Sequence, residues 1–270
     1  MEQASHDQIR QNVRSRYKEV ALQTVRTGSS CCAPADPDSG CCTTSLSYED
    51  VSAQLGYSSE ELGAVPAGAN LGLGCGNPQT IAALQPGEVV LDLGSGGGFD
   101  CFLASRQVGE TGRVIGVDMT PEMVSRARSN AGKGGFTNTD FRLGEIEHLP
   151  VPDGTADVII SNCVINLSPA KQQVFDEAFR VLRAGGRLAI SDIVTTAELP
   201  PEIKKDLDKM YAGCISGASS VGELTAMLTR SGFKEIVVEP KDDSKEFIKD
   251  WVPGANLDQY IASAVIKGTK

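Results

Sequence analysis

Val89-Val90-Leu91-Asp92-Leu93-Gly94-Ser95-Gly96-Gly97-Gly98-Phe99-Asp100 is the stretch on which the reading of this chain turns. An apolar run reaches Leu93, breaks into glycines and gives way near Phe99 to a helical pattern, so the stretch reads strand, tight turn, helix. Glycines at 94, 96 and 98 open backbone torsions closed to other residues and let a ligand approach the main chain. About 20 residues beyond the turn, Arg113-Val114-Ile115-Gly116-Val117-Asp118 reads as a second strand ending in an acid, which can accept hydrogen bonds from both hydroxyls of a ribose.

Outward from this unit, strands and helices alternate from Glu88 to Ile193. Strand 89–93 leads to helix 99–108, and strand 113–117 to helix 121–131 behind Thr120. Strands 139–143 and 157–161, helix 169–183 and strand 187–193 follow. The alternation predicts an α/β fold with a doubly wound, mostly parallel sheet and additions at both ends. Its ligands are expected outside the strand carboxyl ends. Asp92, Asp118, Glu145 and Cys163 fall at such ends and are expected to share one cleft. Upstream, Ile9, Val13, Tyr17, Val20 and Leu22 mark an amphipathic helix over 7–26, which either packs on the core or covers a cofactor. Ser47 caps a short helix, and others are expected at 59–62 and from Pro78 to about Leu84. Downstream come helices at 200–211 and 219–231, with strands near 234–239 and 259–267 to close the sheet. The expected organisation is a helix and cysteine-rich loop over 1–46, a Rossmann-like cofactor domain with its lead-in over 47–193, and a C-terminal region over 194–270.

Composition narrows the function classes. The 270 residues suit one α/β domain with additions, or two small domains. A net charge of −10 without a basic stripe argues against nucleic-acid and anionic-membrane partners. No apolar run approaches the roughly 20 residues of a membrane helix. The polar segment 1–20 does not read as a signal peptide, so the eight cysteines point to the reducing cytoplasm. With only His6 and His148, a Ser-His-Asp hydrolase or a histidine-rich metal site is not expected.

The cysteines carry the remaining signal. Cys31, Cys32, Cys41 and Cys42 stand in a Gly/Pro/Ser/Asp-rich loop, which reads as a thiol relay, a soft-metal capture site or an accidental cluster. Cys75, between Gly74 and Gly76, is expected to be accessible rather than in the core. Cys163 follows a strand end, Cys214 lies in Gly213-Cys214-Ile215-Ser216-Gly217, and Cys101, beside Phe102 and Leu103, reads as packing. Three thiolates would suit a soft, three-coordinate acceptor such as trivalent arsenic, whose lone pair could then attack a sulfonium methyl. Zinc would prefer four tetrahedral ligands at closer spacing. Spacing alone leaves open that the three are unrelated loop cysteines.

The turn reads D-x-G-x-G-x-G rather than G-x-G-x-x-G. Asp92 beside it favours a ligand with a cationic amino-acid end over a pyrophosphate, so S-adenosylmethionine over NAD. It resembles the first motif of the class I S-adenosylmethionine-dependent methyltransferases. More specifically, nearly the whole chain resembles the arsenite S-adenosylmethionine methyltransferases. The resemblance lies in Gly68-Ala69-Asn70-Leu71-Gly72-Leu73-Gly74-Cys75-Gly76-Asn77-Pro78, Ser161-Asn162-Cys163-Val164-Ile165-Asn166-Leu167 and Gly213-Cys214-Ile215-Ser216-Gly217-Ala218, with the glycine turn and Gly116-Val117-Asp118-Met119-Thr120. It implies arsenic(III) on Cys75, Cys163 and Cys214, and cofactor contacts from Asp92, Gly94, Ser95, Gly96, Asp118, Met119, Glu145, Ile146 and Asn162. One N-terminal cysteine is implied to assist by pairing with Cys75, and the sequence offers four candidates. Leu73 stands where relatives often have an aromatic residue.

The function so implied is methylation of thiol-bound arsenite for detoxification, giving mono- and dimethylated arsenicals, with trimethylation an open alternative. The partners implied are small-molecule arsenicals or their thiol adducts and a reductant such as thioredoxin or glutathione; a monomer is the default. Two rivals are a methyltransferase for an organic small molecule and a thiol-rich arsenic or heavy-metal binding protein.

Overall fold

The computed structural model describes residues 5–22, 47–199, 215, 217–249, 251 and 256–270. Its centre is a run of parallel strands: β1 (Val89–Leu93), β2 (Arg113–Asp118), β3 (Thr139–Leu143), β4 (Ala156–Asn162) and β5 (Leu182–Thr195). The short β6 (Ser219–Ser220) pairs parallel to β5, while β7 (Lys234–Pro240) and β8 (Ile261–Thr269) add antiparallel. The order across the sheet is β3-β2-β1-β4-β5-β8-β7. Strands β1, β2 and β4 are apolar on both faces, as a sheet covered twice requires: Leu91, Ile115 and Ile159 point into one layer, Val90, Val114 and Val158 into the other. The first layer is completed by α7 (Lys171–Val181) and α8 (Val221–Ser231), and the second by α4 (Gln79–Ala82), α5 (Phe99–Val108) and α6 (Pro121–Gly134). The expected doubly wound, mostly parallel fold is therefore present. Among the described residues no helix is long and apolar enough to cross a membrane.

Local chemistry explains the boundaries. α2 (Tyr48–Gln54) and α3 (Ser59–Gly63) start at capping boxes, Ser47 with Asp50 and Ser58 with Glu61. α6 runs beyond the expected residue 131, because Gly135 at φ +70° supplies the left-handed cap that ends it. α7 is shorter than the expected 169–183 and β5 longer than 187–193. Leu182 already pairs with Ala156, and the register shifts before the two strands resume at Arg187 and Val158. The expected helix 200–211 lies outside the described residues.

A third apolar cluster sits apart from the two sheet layers. Val13 of α1 (His6–Leu22), Ile193 of β5, Ile215, Ile261 of β8 and Ile248 of α9 (Lys245–Ile248) gather around Cys75 and Cys163. Both termini of the chain thus contribute to one region at the end of the sheet.

Gly98 fixes the entry into α5. Its φ is +92°, and a Cβ there would lie 2.8 Å from the Phe102 ring and 3.0 Å from that of Phe141. Gly98→Ala is expected to cost about 2–4 kcal/mol. The denaturation midpoint in urea should fall with the m-value unchanged.

Candidate functional site

The strand order reverses between β1 and β4, and a cleft opens at the carboxyl ends of the strands there. It holds about 1100 Å³ counted out to its mouth, open space at the mouth included. The glycine turn forms its floor. Gly94 and Ser95 donate their N–H groups to the Val117 carbonyl, fastening the turn to β2. Gly96 donates to Asp118 Oδ2 at 3.0 Å, and Thr120 to Oδ1 at 2.8 Å, so the Asp118 carboxylate is held rigidly at the rim. A Cβ at Gly96 would meet nothing, so this part of the main chain faces open space. The Ser95 hydroxyl is buried without a protein partner beside it.

Asp92 lies beneath the turn, buried, and accepts a hydrogen bond from Cys101 Sγ at 3.2 Å. Cys101 is a core residue, as expected, but one whose thiol is engaged. Asp100, also buried, accepts from the Tyr57 hydroxyl at 2.8 Å and from Gln79. Burial pushes both carboxyls above the ordinary range, Asp92 well above it, with the charge of Asp100 adding to the effect on Asp92. Burial, then Asp92, pushes the Cys101 thiol well up. Burial also raises Asp118, against the N–H donors of Thr120 and Gly96. The cleft is thus an acidic pocket suited to a cationic ligand with vicinal hydroxyls. The free face of Gly96, the unpartnered Ser95 hydroxyl and the buried Asp92 all fit S-adenosylmethionine.

Asn162 joins this cleft to the thiols. Its Oδ1 accepts from the Cys75 N–H at 3.0 Å, and its Nδ2 donates to the Gly76 carbonyl at 2.8 Å, with the Tyr57 hydroxyl at 3.1 Å. Cys75 is completely buried, which corrects the expectation of an accessible residue. The flanking glycines act in the opposite sense. A Cβ on Gly74 would stand 2.6 Å from Asn162 Nδ2, and one on Gly76 would run into Ser191 Oγ. Small flanks let the loop press against the sheet and carry Cys75 inward. Cys163 follows β4 in the left-handed region at φ +60° and is 5% exposed. The Ser191 carbonyl gathers both cysteines, accepting from the Cys163 N–H at 2.8 Å and from Cys75 Sγ at 3.6 Å. Sulfurs of Cys75 and Cys163 and a carboxylate oxygen of Asp192 lie within 4.8 Å of one another.

Of the other predicted residues, Gly94, Met119, Ile146, Asn162 and Cys163 line the cleft with Asp92, Ser95, Gly96 and Asp118, and exposed Leu73 stands at its edge. Cys75 lies behind the wall rather than on it. Glu145 is turned to α1, where Arg14 donates to it at 3.2 Å and Arg10 lies 3.5 Å away; Glu147 is the acid that lines the cleft. α1 also supplies Arg10, Val13 and Tyr17 to the lining while packing Val13 into the third apolar cluster, so it both packs on the core and borders the cleft. Cys31, Cys32, Cys41, Cys42 and Cys214 lie outside the described residues. Asp100 and Asp192 were missed. The first closes the glycine-turn stretch itself, and the second follows an apolar strand run as Asp92 and Asp118 do.

The methyltransferase-domain family matches residues 84–232. The chain is 50% identical over 268 residues to the arsenite methyltransferase of Halobacterium salinarum, covering 98% of this chain and 67% of that one. It is 43% identical over 153 residues to the arsenite methyltransferase of Homo sapiens, covering 53% of this chain and 40% of that one. A solved arsenic(III) S-adenosylmethionine methyltransferase from Chlamydomonas reinhardtii superposes with a TM-score of 0.60 at 31% identity, covering 81% of this chain and 72% of that one.

Asn162→Ala should release the Cys75 loop. It orphans the Cys75 N–H and the Gly76 carbonyl, at a cost of about 1–3 kcal/mol for each buried group left unpaired. Peptide mass mapping after a short pulse of a disulfide reagent should show Cys75 labelled much faster than in the parent. Unchanged labelling would mean that Asn162 does not hold the loop.

Proposed function

The chain belongs to the methyltransferase-domain family and, within it, to the arsenite methyltransferases, and from that premise we propose that it transfers methyl groups from S-adenosylmethionine to thiol-bound trivalent arsenic. The observation that carries this reading is the convergence of two buried thiols, Cys75 and Cys163, at the wall of the acidic glycine-turn cleft. With Cys214 as third sulfur, they would hold arsenic in a pyramid with its lone pair free.

The cofactor supplies an electrophilic methyl group on a cationic sulfur. The rest is the work of the chain. Asp92 and Asp100 set a negative potential for the cationic end, Asp118 accepts from the ribose, and Met119 and Ile146 flank the base. α1 covers the cleft and excludes water. Asn162 holds the Cys75 loop against β4, so arsenic and methyl are aligned by one rigid unit. Alignment of this kind lowers a barrier by several kcal/mol. Arsenic held on the thiols would attack through its own lone pair, so the chain need supply no general base.

Each transfer formally oxidises arsenic by two electrons. A cysteine pair, Cys75 with one of Cys31, Cys32, Cys41 or Cys42, can return them by forming a disulfide, with release of two protons. Thioredoxin or glutathione would then restore the thiols. The proposal is completed by action as a monomer in the reducing cytoplasm, mono- and dimethylated products, and a role in arsenic detoxification. The segments 1–46, 47–193 and 194–270 would serve thiol delivery, cofactor binding and completion of the arsenic site.

The deciding experiment is turnover with arsenite, cofactor and excess thiol, with arsenic species separated by chromatography and detected by mass. Methylated arsenic is expected, and Cys163→Ser should lower the first methylation by about 100-fold or more. Full activity in that variant would sink the assignment. Cofactor affinity should also depend on pH. The Asp92 and Asp118 carboxyls are raised, so they take up protons above the ordinary carboxylate range. Affinity is then greatest above those raised values and is lost as pH falls through them. Calorimetric titration with cofactor across mildly alkaline to mildly acidic buffers reads it, and a flat profile would count against the acidic-pocket assignment.

A further inference from the structure

We propose that Cys75, Cys163 and Asp192 form a two-sulfur, one-carboxylate site for a borderline or soft divalent cation, zinc or cadmium, which competes with arsenic for the same thiols. The cation site stands on its own geometry; only the competition rests on the proposed function.

Three observations carry it. The ligand atoms, one from each residue, lie within 4.8 Å of one another, and all three residues are buried. Asp192 is fastened in the way metal-binding carboxylates are: Asn166 donates from Nδ2 to Oδ1 at 2.9 Å and from its backbone N–H to Oδ2 at 3.3 Å. The Ile193 N–H reaches Oδ1 at 2.7 Å. These donors are neutral, and the two closer ones both fall on Oδ1, which leaves Oδ2 as the less fully engaged oxygen. Finally, the donor set is mixed. Arsenic(III) selects sulfur, whereas two thiolates with a carboxylate suit zinc and cadmium.

The charge balance favours uptake into so dry a place. The cation brings two positive charges, the two thiols release two protons to solvent, and Asp192 binds as the carboxylate. The buried net charge is therefore unchanged, and no redox partner is involved. Cys163 lines the cleft and gives the cation a path inward to Cys75 and Asp192.

The test uses the fully reduced 270-residue chain and a Cys31/Cys32/Cys41/Cys42/Cys214→Ser background, titrated anaerobically with cadmium chloride without arsenite or cofactor. Sulfur-to-cadmium absorption should saturate at one equivalent in the background variant and vanish with Cys163→Ser. Asp192→Asn should weaken the affinity by about 10–100-fold or more. A cadmium-113 resonance of the background chain, which needs no change at position 192, should report two sulfurs with oxygen. A three-sulfur resonance, an unchanged affinity in Asp192→Asn, or no binding would each overturn the site. Arsenite should displace the bound cadmium. Failure of displacement overturns the competition, and failure of methylation with cadmium binding intact strikes the proposed function alone.

Discussion

The amide of Asn162 is the contact on which the rest of the site depends. One side chain accepts the Cys75 N–H and returns a hydrogen bond to the carbonyl of Gly76, with Tyr57 and Asp100 beside it. It stands at the end of β4, next to the point where strand order reverses. The segment before β1 has no strand pairing of its own to place it. Through Asn162 it is registered against the sheet, and the cofactor cleft and the thiol pair become two faces of one wall. A carboxylate of the same size could not donate to Gly76, and an aliphatic residue would leave buried polar groups unpaired.

The electrostatics around that wall are one-sided. Asp92 and Asp100 are buried close together, Asp118 closes the rim, and each is held away from its ordinary pKa by burial. Among the described residues no arginine forms an ion pair with them. Arg10 and Arg14 instead reach Glu145 and Glu147 and tie α1 over the opening. The Glu145 pairs are partly exposed and worth roughly 0–1 kcal/mol each, whereas Glu147 is buried; Val13 and its apolar neighbours add to the seating of the cover.

The alternation of apolar runs and turns made the parallel sheet legible, because strands buried on both faces leave a dense apolar signature. The glycine turn and Asp118 were legible for the same reason: their spacing is set by one strand–turn–helix unit. Cys75 was misread because glycine flanks carry two opposite meanings, exposure in a free loop and close approach in a packed one. Which applies depends on Asn162 and Ser191, distant in sequence. Glu145 and Glu147 sit at neighbouring positions, and only the docking of α1 decides which faces the cleft. Asp192 was hidden inside a strand that runs three residues past it.

The unequal burial of the two thiols imposes an order on events. Cys163 borders the cleft, whereas Cys75 has no accessible surface. A thiophilic species entering by the cleft therefore meets Cys163 first, and the bond to Cys75 forms only afterwards, within the molecule. Such a second step runs at an effective concentration of about millimolar or more, far above that of any free arsenical in a cell. Capture then resembles a ratchet: weak and reversible at the first sulfur, committed at the second, with release slow unless both sulfurs let go together.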